Sequence, residues 1–198
     1  MKRVRISILD VIKNRRTVRR FNERPISKKI LRMLINTAKW APCPNNLQPW
    51  YFVSTTKNST FNKEVNSYIQ KQASIKNIAV SIFLKDAIKI LNSAPALIYV
   101  FNTGVLAEKY RILGKSYQRK ANLFENQSIS AAIENIILGA EELGVGTVWL
   151  GSPVFVNKGI EKILKTKFEL IAIIGIGYYD KKPKRTHRLP LEEILRHI

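Results

Sequence analysis

Apolar residues recur in this chain with two different spacings, and the switches between them mark its elements. Residues 7–14 read as a short helix carrying Ile8, Leu9, Val11 and Ile12. A basic stretch from Arg15 to Arg20 leads to Phe21 and Pro25, and Ser27 then offers a side-chain oxygen suited to an N-cap. In the helix that follows, Ile30, Leu31, Leu34, Ile35 and Ala38 repeat at helical spacing. Trp50 to Ser54 read as a strand. Ala96 to Phe101 form a continuous apolar run of strand length after Pro95, and Leu170 to Tyr178 form the most apolar strand of all. Between these two strands, residues 128–143 predict a helix that buries Ala132, Ile133, Ile136, Ile137, Ala140 and Leu143 on one broad face. Gly144 and Gly146 end it, Thr147 to Leu150 make a short strand, and Ile160 to Leu164 suggest a further helix. The last residues, Leu191 to Ile198, read as a terminal helix that leaves the body of its own subunit. Residues 60–92 have a helical but weakly marked pattern, and 57–125 are expected to be a variable, mobile insert or lid. With no internal repeat or low-complexity linker, 1–198 should be one domain. Clustered helices with strands that do not alternate with them point to α+β rather than a doubly wound sheet.

Composition narrows the class. An apolar content of 45% in 198 residues suits a globular core. No apolar run approaches the ~20 residues of a membrane span, and Asp10 and Lys13 interrupt any signal-peptide core, so a cytoplasmic location is expected. The single cysteine, Cys43, excludes an intrachain disulfide framework and a cysteine metal cluster. The formal charge of +20 is extreme, and residues 1–39 alone hold 13 Lys and Arg against Asp10 and Glu23. Such charge would suit a nucleic-acid-binding module. It is otherwise scattered, however, and no zinc finger, basic zipper or RNA-stacking sheet accompanies it. Nucleic acid is therefore not the expected partner, and a solvated lysine-rich face explains most of the charge.

Two segments carry candidate chemistry. Ala41-Pro42-Cys43-Pro44-Asn45-Asn46-Leu47-Gln48-Pro49-Trp50 packs three prolines and three amide side chains into ten residues between a helix and a strand. The prolines stiffen the connection, and amides both donate and accept, which suits a planar heterocycle with alternating donors and acceptors. Arg15, Arg16 and Thr17 offer guanidinium forks and a hydroxyl fit for a phosphate, and Arg188 could join them; taken singly, such residues are also ordinary surface. Gly144-Val145-Gly146 does not make a dinucleotide fingerprint, because the order here is helix, glycines, strand; Gly144 is an ordinary helix C-cap. Gly151 exposes backbone just past a strand end. The two histidines, His187 and His197, do not make a hydrolytic triad, and Cys43 has no histidine partner and reads as an inert thiol. Lacking an acid–base or nucleophile set, the chain is best read as relying on a bound cofactor.

In order and spacing these pieces resemble the FMN-dependent nitroreductase family. The matching stretches are Arg15-Arg16-Thr17-Val18-Arg19-Arg20-Phe21, the 41–50 loop, the 128–143 helix running into Leu143 to Gly151, Gly175 to Tyr178, and Arg188-Leu189-Pro190-Leu191-Glu192-Glu193. The resemblance implies a central, mostly antiparallel sheet flanked by helices. It also implies an intertwined homodimer with FMN at the subunit interface and residues 181–198 packing on the partner subunit. Arg15, Arg16, Thr17 and Arg188 would hold the FMN phosphate and ribityl region, and Arg19 would lie by the pyrimidine edge. Cys43, Pro44, Asn46 and Gln48, supplied across the interface, would contact ring and ribityl chain, and the amides near Leu150 and Gly151 would face N5. The implied activity is NAD(P)H-dependent reduction of nitroaromatics, quinones or a similar small acceptor by ping-pong hydride transfer, with dehalogenation or dehydrogenation as variants. Two departures stand out: Cys43 where Ser or Thr is frequent, and Thr186 where a cation is frequent.

Overall fold

The structure is a computed structural model and describes residues 7–75 and 78–198. Four strands form a single sheet: β1 (Trp50–Thr56), β2 (Ala96–Asn102), β3 (Gly146–Leu150) and β4 (Glu169–Gly177), in the order β1-β2-β4-β3. All three pairings are antiparallel, with Val53 opposite Tyr99, Ile98 opposite Ile174 and Val148 opposite Gly175.

Helices cover both faces of this sheet, and that explains the unbroken apolar runs of the two central strands. Along β2, Ala96, Ile98 and Val100 enter one core with Ala172, Ile174 and Ile176 of β4. Leu97, Tyr99 and Phe101 enter the other core with Leu170 and Ile173. A strand buried on both faces has no polar side to alternate with. The first core is closed by α2 (Lys28–Ala38) and α6 (Lys115–Glu142) through Leu31, Leu34, Ile129, Ile133 and Ile136. Ser27 caps α2 as predicted, its Oγ accepting from the Ile30 amide at 3.2 Å.

The second core is built from α3 (Thr60–Ile75), α4 (Ile78–Ser93) and α7 (Asn157–Ile163), with Val65, Ile69, Leu84, Ala87, Ile90 and Ile160 buried against the sheet. Residues 60–92 are thus two sixteen-residue helices of the body, where the sequence reading had an insert outside it. Their polar residues blurred the pattern, because Asn62 is buried as the centre of a network. Its Oδ1 accepts from Thr55 Oγ1 (2.6 Å) and from the Tyr99 hydroxyl (3.0 Å), and its Nδ2 donates to the Thr56 carbonyl (2.8 Å).

Two boundaries differ from the sequence reading. The helix predicted from Ser128 begins at Lys115; its first turns contribute only Ala121 and Glu125 to the buried face, too few to show a period. Glu125 is satisfied there by the Leu106 amide (2.7 Å), at the start of α5 (Val105–Lys109), and by Asn102 Nδ2 (3.4 Å). The terminal helix is a single turn, α8 (Leu191–Ile194), and Leu195 is already extended. With no side-chain cap and every residue exposed, nothing carries it past one turn. α1 (Ile8–Asn14), capped by Ser7, buries only Val11 and exposes Ile8, Leu9 and Ile12.

Candidate functional site

The basic segment after α1 is laid against the sheet edge. Thr17 bridges Thr147 of β3 in parallel, the Val18 amide donates to the Thr147 carbonyl at 2.8 Å, and the Asn22 amide donates to the Tyr178 carbonyl at 2.9 Å. Val18 is buried at this seam. The approach needs Gly146: a Cβ there would fall 2.8 Å from Val18 Cβ and 2.7 Å from Tyr179 Cδ1. Phe21 sits over Gly177 in the same way, 2.7 Å from where a Cβ would be. The sequence reading took these glycines as a helix stop and part of a strand, and so missed that they seat the arginine segment. Glycine inside a strand was the available signal.

The chain's two ends meet beside this seam. A cleft of about 330 Å³ is lined by Arg15 and Arg16, by Arg185, Thr186 and Arg188 of the tail, and by Ile12 and Lys13 of α1. Arg185 ties the tail down by donating to Asn14 Oδ1 at 3.1 Å. Arg16 Nη1 donates to the carbonyls of Lys13 (2.8 Å) and Arg15 (2.6 Å), and Arg188 Nη1 to the His187 carbonyl (2.9 Å). Five cations therefore converge where the nearest paired carboxylate is Glu134, 3.9 Å from Arg15 Nε. Like charges brought together this way call for a multivalent anion. Thr17 and Arg19 line an adjoining cleft of about 490 Å³, whose far wall is the 180–184 segment.

The proline loop forms a third, shallower cleft. Cys43 and Pro44 line it opposite Phe124, Gln127 and Ser128 of α6, two of which (Phe124 and Gln127) the sequence reading did not single out. The turn at Pro44–Asn46 is strained: Asn45, Asn46 and Gln48 all have φ near +50°. Asn tolerates that region better than Gln, so Gln48 is the costlier residue to hold there. The Gln48 amide donates to Cys43 Sγ at 3.3 Å, which gives the cysteine a place in fixing the turn. Leu150 is buried at the end of β3, whereas Gly151 is exposed, and a Cβ on it would meet nothing within 4 Å. Within one chain, then, the structure unites Arg15, Arg16 and Arg188, places Thr17 and Arg19 next door, and sets Cys43 and Pro44 in a different cleft.

An antiparallel sheet covered by helices on both faces, with a cationic cleft where the chain's two ends meet, defines an α+β protein built around an anionic ligand. Residues 12–178 match the Nitroreductase family, and the chain belongs to that family. YfhC of Bacillus subtilis (strain 168), provisionally named an NAD(P)H nitroreductase, is 23% identical over 186 residues, covering 93% of this chain and 90% of that one. The iodotyrosine deiodinase of Thermotoga neapolitana is 27% identical over 195 residues, 89% of this chain and 91% of its own. Among solved structures, a BluB-like flavoprotein from Clostridium difficile 630 superposes with a TM-score of 0.74 at 27% identity, covering 98% of this chain and 99% of that one.

Proposed function

We propose that the chain is an FMN-dependent NAD(P)H oxidoreductase that reduces nitroaromatics, quinones or a similar small acceptor, working as a homodimer. The observation that carries this is the convergence of Arg15, Arg16 and Arg188 from opposite ends of the chain in one cleft. FMN has a phosphomonoester, and that donor set fits it: several guanidinium forks, a hydroxyl from Thr17 or Thr186, and no carboxylate lining the cleft. When bound, FMN supplies the hydride-accepting and hydride-donating chemistry that no side chain here offers.

The chain's own residues bind and orient. Arg15, Arg16 and Arg188 neutralise the phosphate. Arg19, exposed and unpaired among the described residues, is available to offset the negative charge of a reduced flavin. Asn46, Gln48, Cys43 and Pro44 of a second copy present amides and a stiff wall to the ring, because their own cleft is separate from the arginines within one chain. Gly151, open to approach, presents backbone beside Leu150. Purified protein supplied with FMN should absorb near 450 nm and oxidise NADH or NADPH only when an acceptor is present; protein that stays colourless would refute the reading.

A second reading keeps the site and changes the acceptor to a halogenated phenol. The 27% identity to an iodotyrosine deiodinase along nearly the whole chain favours it. Turnover of nitroaromatic, quinone and halophenol panels separates the two.

A further inference from the structure

The cationic groove does not stop at the cleft assigned to the flavin phosphate. Thr17 and Lys184 line the adjoining 490 Å³ cleft, while their chain neighbours Arg16 and Arg185 line the first. Both walls are continuous, so the two clefts are successive stretches of one groove. Arg16 and Arg20 are four residues apart, at most about 14 Å along the backbone, a span that two nucleotides joined through a pyrophosphate can bridge.

The second stretch has more positive charge than an FMN uses. Among the described residues Arg20, Lys181 and Lys184 have no ion pair, whereas Lys182 is paired with Glu141. The one carboxylate lining the cleft, Asp180, already accepts from Asn22 Nδ2 at 2.9 Å. Three free cations around an apolar wall of Phe21 fit a nucleotide bearing a phosphomonoester, a group with a charge of about −1.5 to −2 at neutral pH. We infer that this cleft takes the 2′-phosphate of the nicotinamide dinucleotide, so that the chain uses NADPH in preference to NADH. The two reductants differ only in that group. The inference rests on the flavin reading above, since it names the reductant that would serve the same site.

The test has a binding arm and a kinetic arm. Full-length protein is titrated calorimetrically with adenosine 2′,5′-bisphosphate and with 5′-AMP. The bisphosphate should bind about tenfold or more tightly, as expected for a charge-assisted contact. The double variant Arg20→Ser, Lys184→Ser should bring the two ligands within about twofold of each other and leave FMN absorbance unchanged. In parallel, kcat/KM for NADPH should fall about tenfold while that for NADH holds. Equal binding of the two ligands by the wild-type protein would overturn the inference. So would a double variant that keeps the preference, or one that loses NADH and NADPH turnover alike. The titration does not depend on the flavin, so protein that failed to take up FMN would refute the parent reading while the ligand comparison still decided the cleft.

Discussion

At the scale of single residues, Gly146 shows how a missing methyl can place charges two and three positions away along another segment. Val18 lies where a Cβ on Gly146 would be, and Thr17, Arg16 and Arg15 are aligned by that contact and by the Val18–Thr147 hydrogen bond. Gly146→Ala should therefore lower stability by about 1–3 kcal/mol and weaken FMN binding with it, read as a drop in Tm and as flavin fluorescence during titration. Arg16 and Arg188 make the complementary case. Arg188 is exposed and Arg16 half-buried, and both hydrogen-bond only to neighbouring groups of their own segments. Replacing both with Ala should leave Tm of the apo protein nearly unchanged while raising the FMN Kd roughly tenfold per arginine. The arginines were legible in the sequence because guanidinium chemistry is local to the residue. Gly146 was not, because its role depends on a segment about 130 positions away that only the fold brings near.

At the scale of elements, strands were more legible than helices. β2 and β4 stood out as apolar runs because both faces are buried. α3 and α4 did not, because the second core is organised around buried Asn62 and the hydroxyl of Tyr99 as well as around apolar side chains. Burial raises the Tyr99 pKa well above the usual tyrosine value of 10.0. The folded state therefore favours the protonated phenol. Its contribution to stability is complete below about pH 10 and is lost as pH rises beyond it, where the unfolded chain ionises and the folded one resists. Tyr99→Phe should cost about 1 kcal/mol at neutral pH for the bond to Asn62, and above pH 10 its stability should decline less steeply than that of the wild type. Denaturant midpoints across the alkaline range measure both effects, and parallel curves would remove Tyr99 from the account. The long α6 was legible only from Ser128, where Ala132, Ile133 and Ile136 begin to repeat.

At the scale of the whole molecule, the surface is too large for a compact monomer. The chain exposes 13321 Å², against roughly 9,500 Å² expected for a monomer of its 22.7 kDa mass. The excess includes apolar side chains on α1 (Ile8, Leu9, Ile12), on the first half of α6 (Tyr117, Leu123, Phe124) and on the tail (Leu189, Leu191, Ile194). Such surface is normally covered, and a second copy would also bring the proline loop to the arginines. Sedimentation should give twice the chain mass. Removing residues 189–198 should shift the protein toward monomer and lower its flavin content; a full-length monomer that binds FMN at full strength would contradict the dimer. The site was only half legible for the same reason. Each contributing segment has its own signature in the sequence, but their meeting belongs to an assembly rather than to a chain.

The seam between the arginine segment and β3 has one more consequence. Between the backbone bonds at Val18 and Asn22, the peptide links after Arg19 and Arg20 lie in an exposed stretch without regular structure, an inviting place for trypsin. A ligand gripped from both sides of that stretch would close it. Cleavage there should be rapid in the empty protein and slowed about tenfold or more by saturating FMN, so the digestion pattern would report cofactor loading without any turnover being measured.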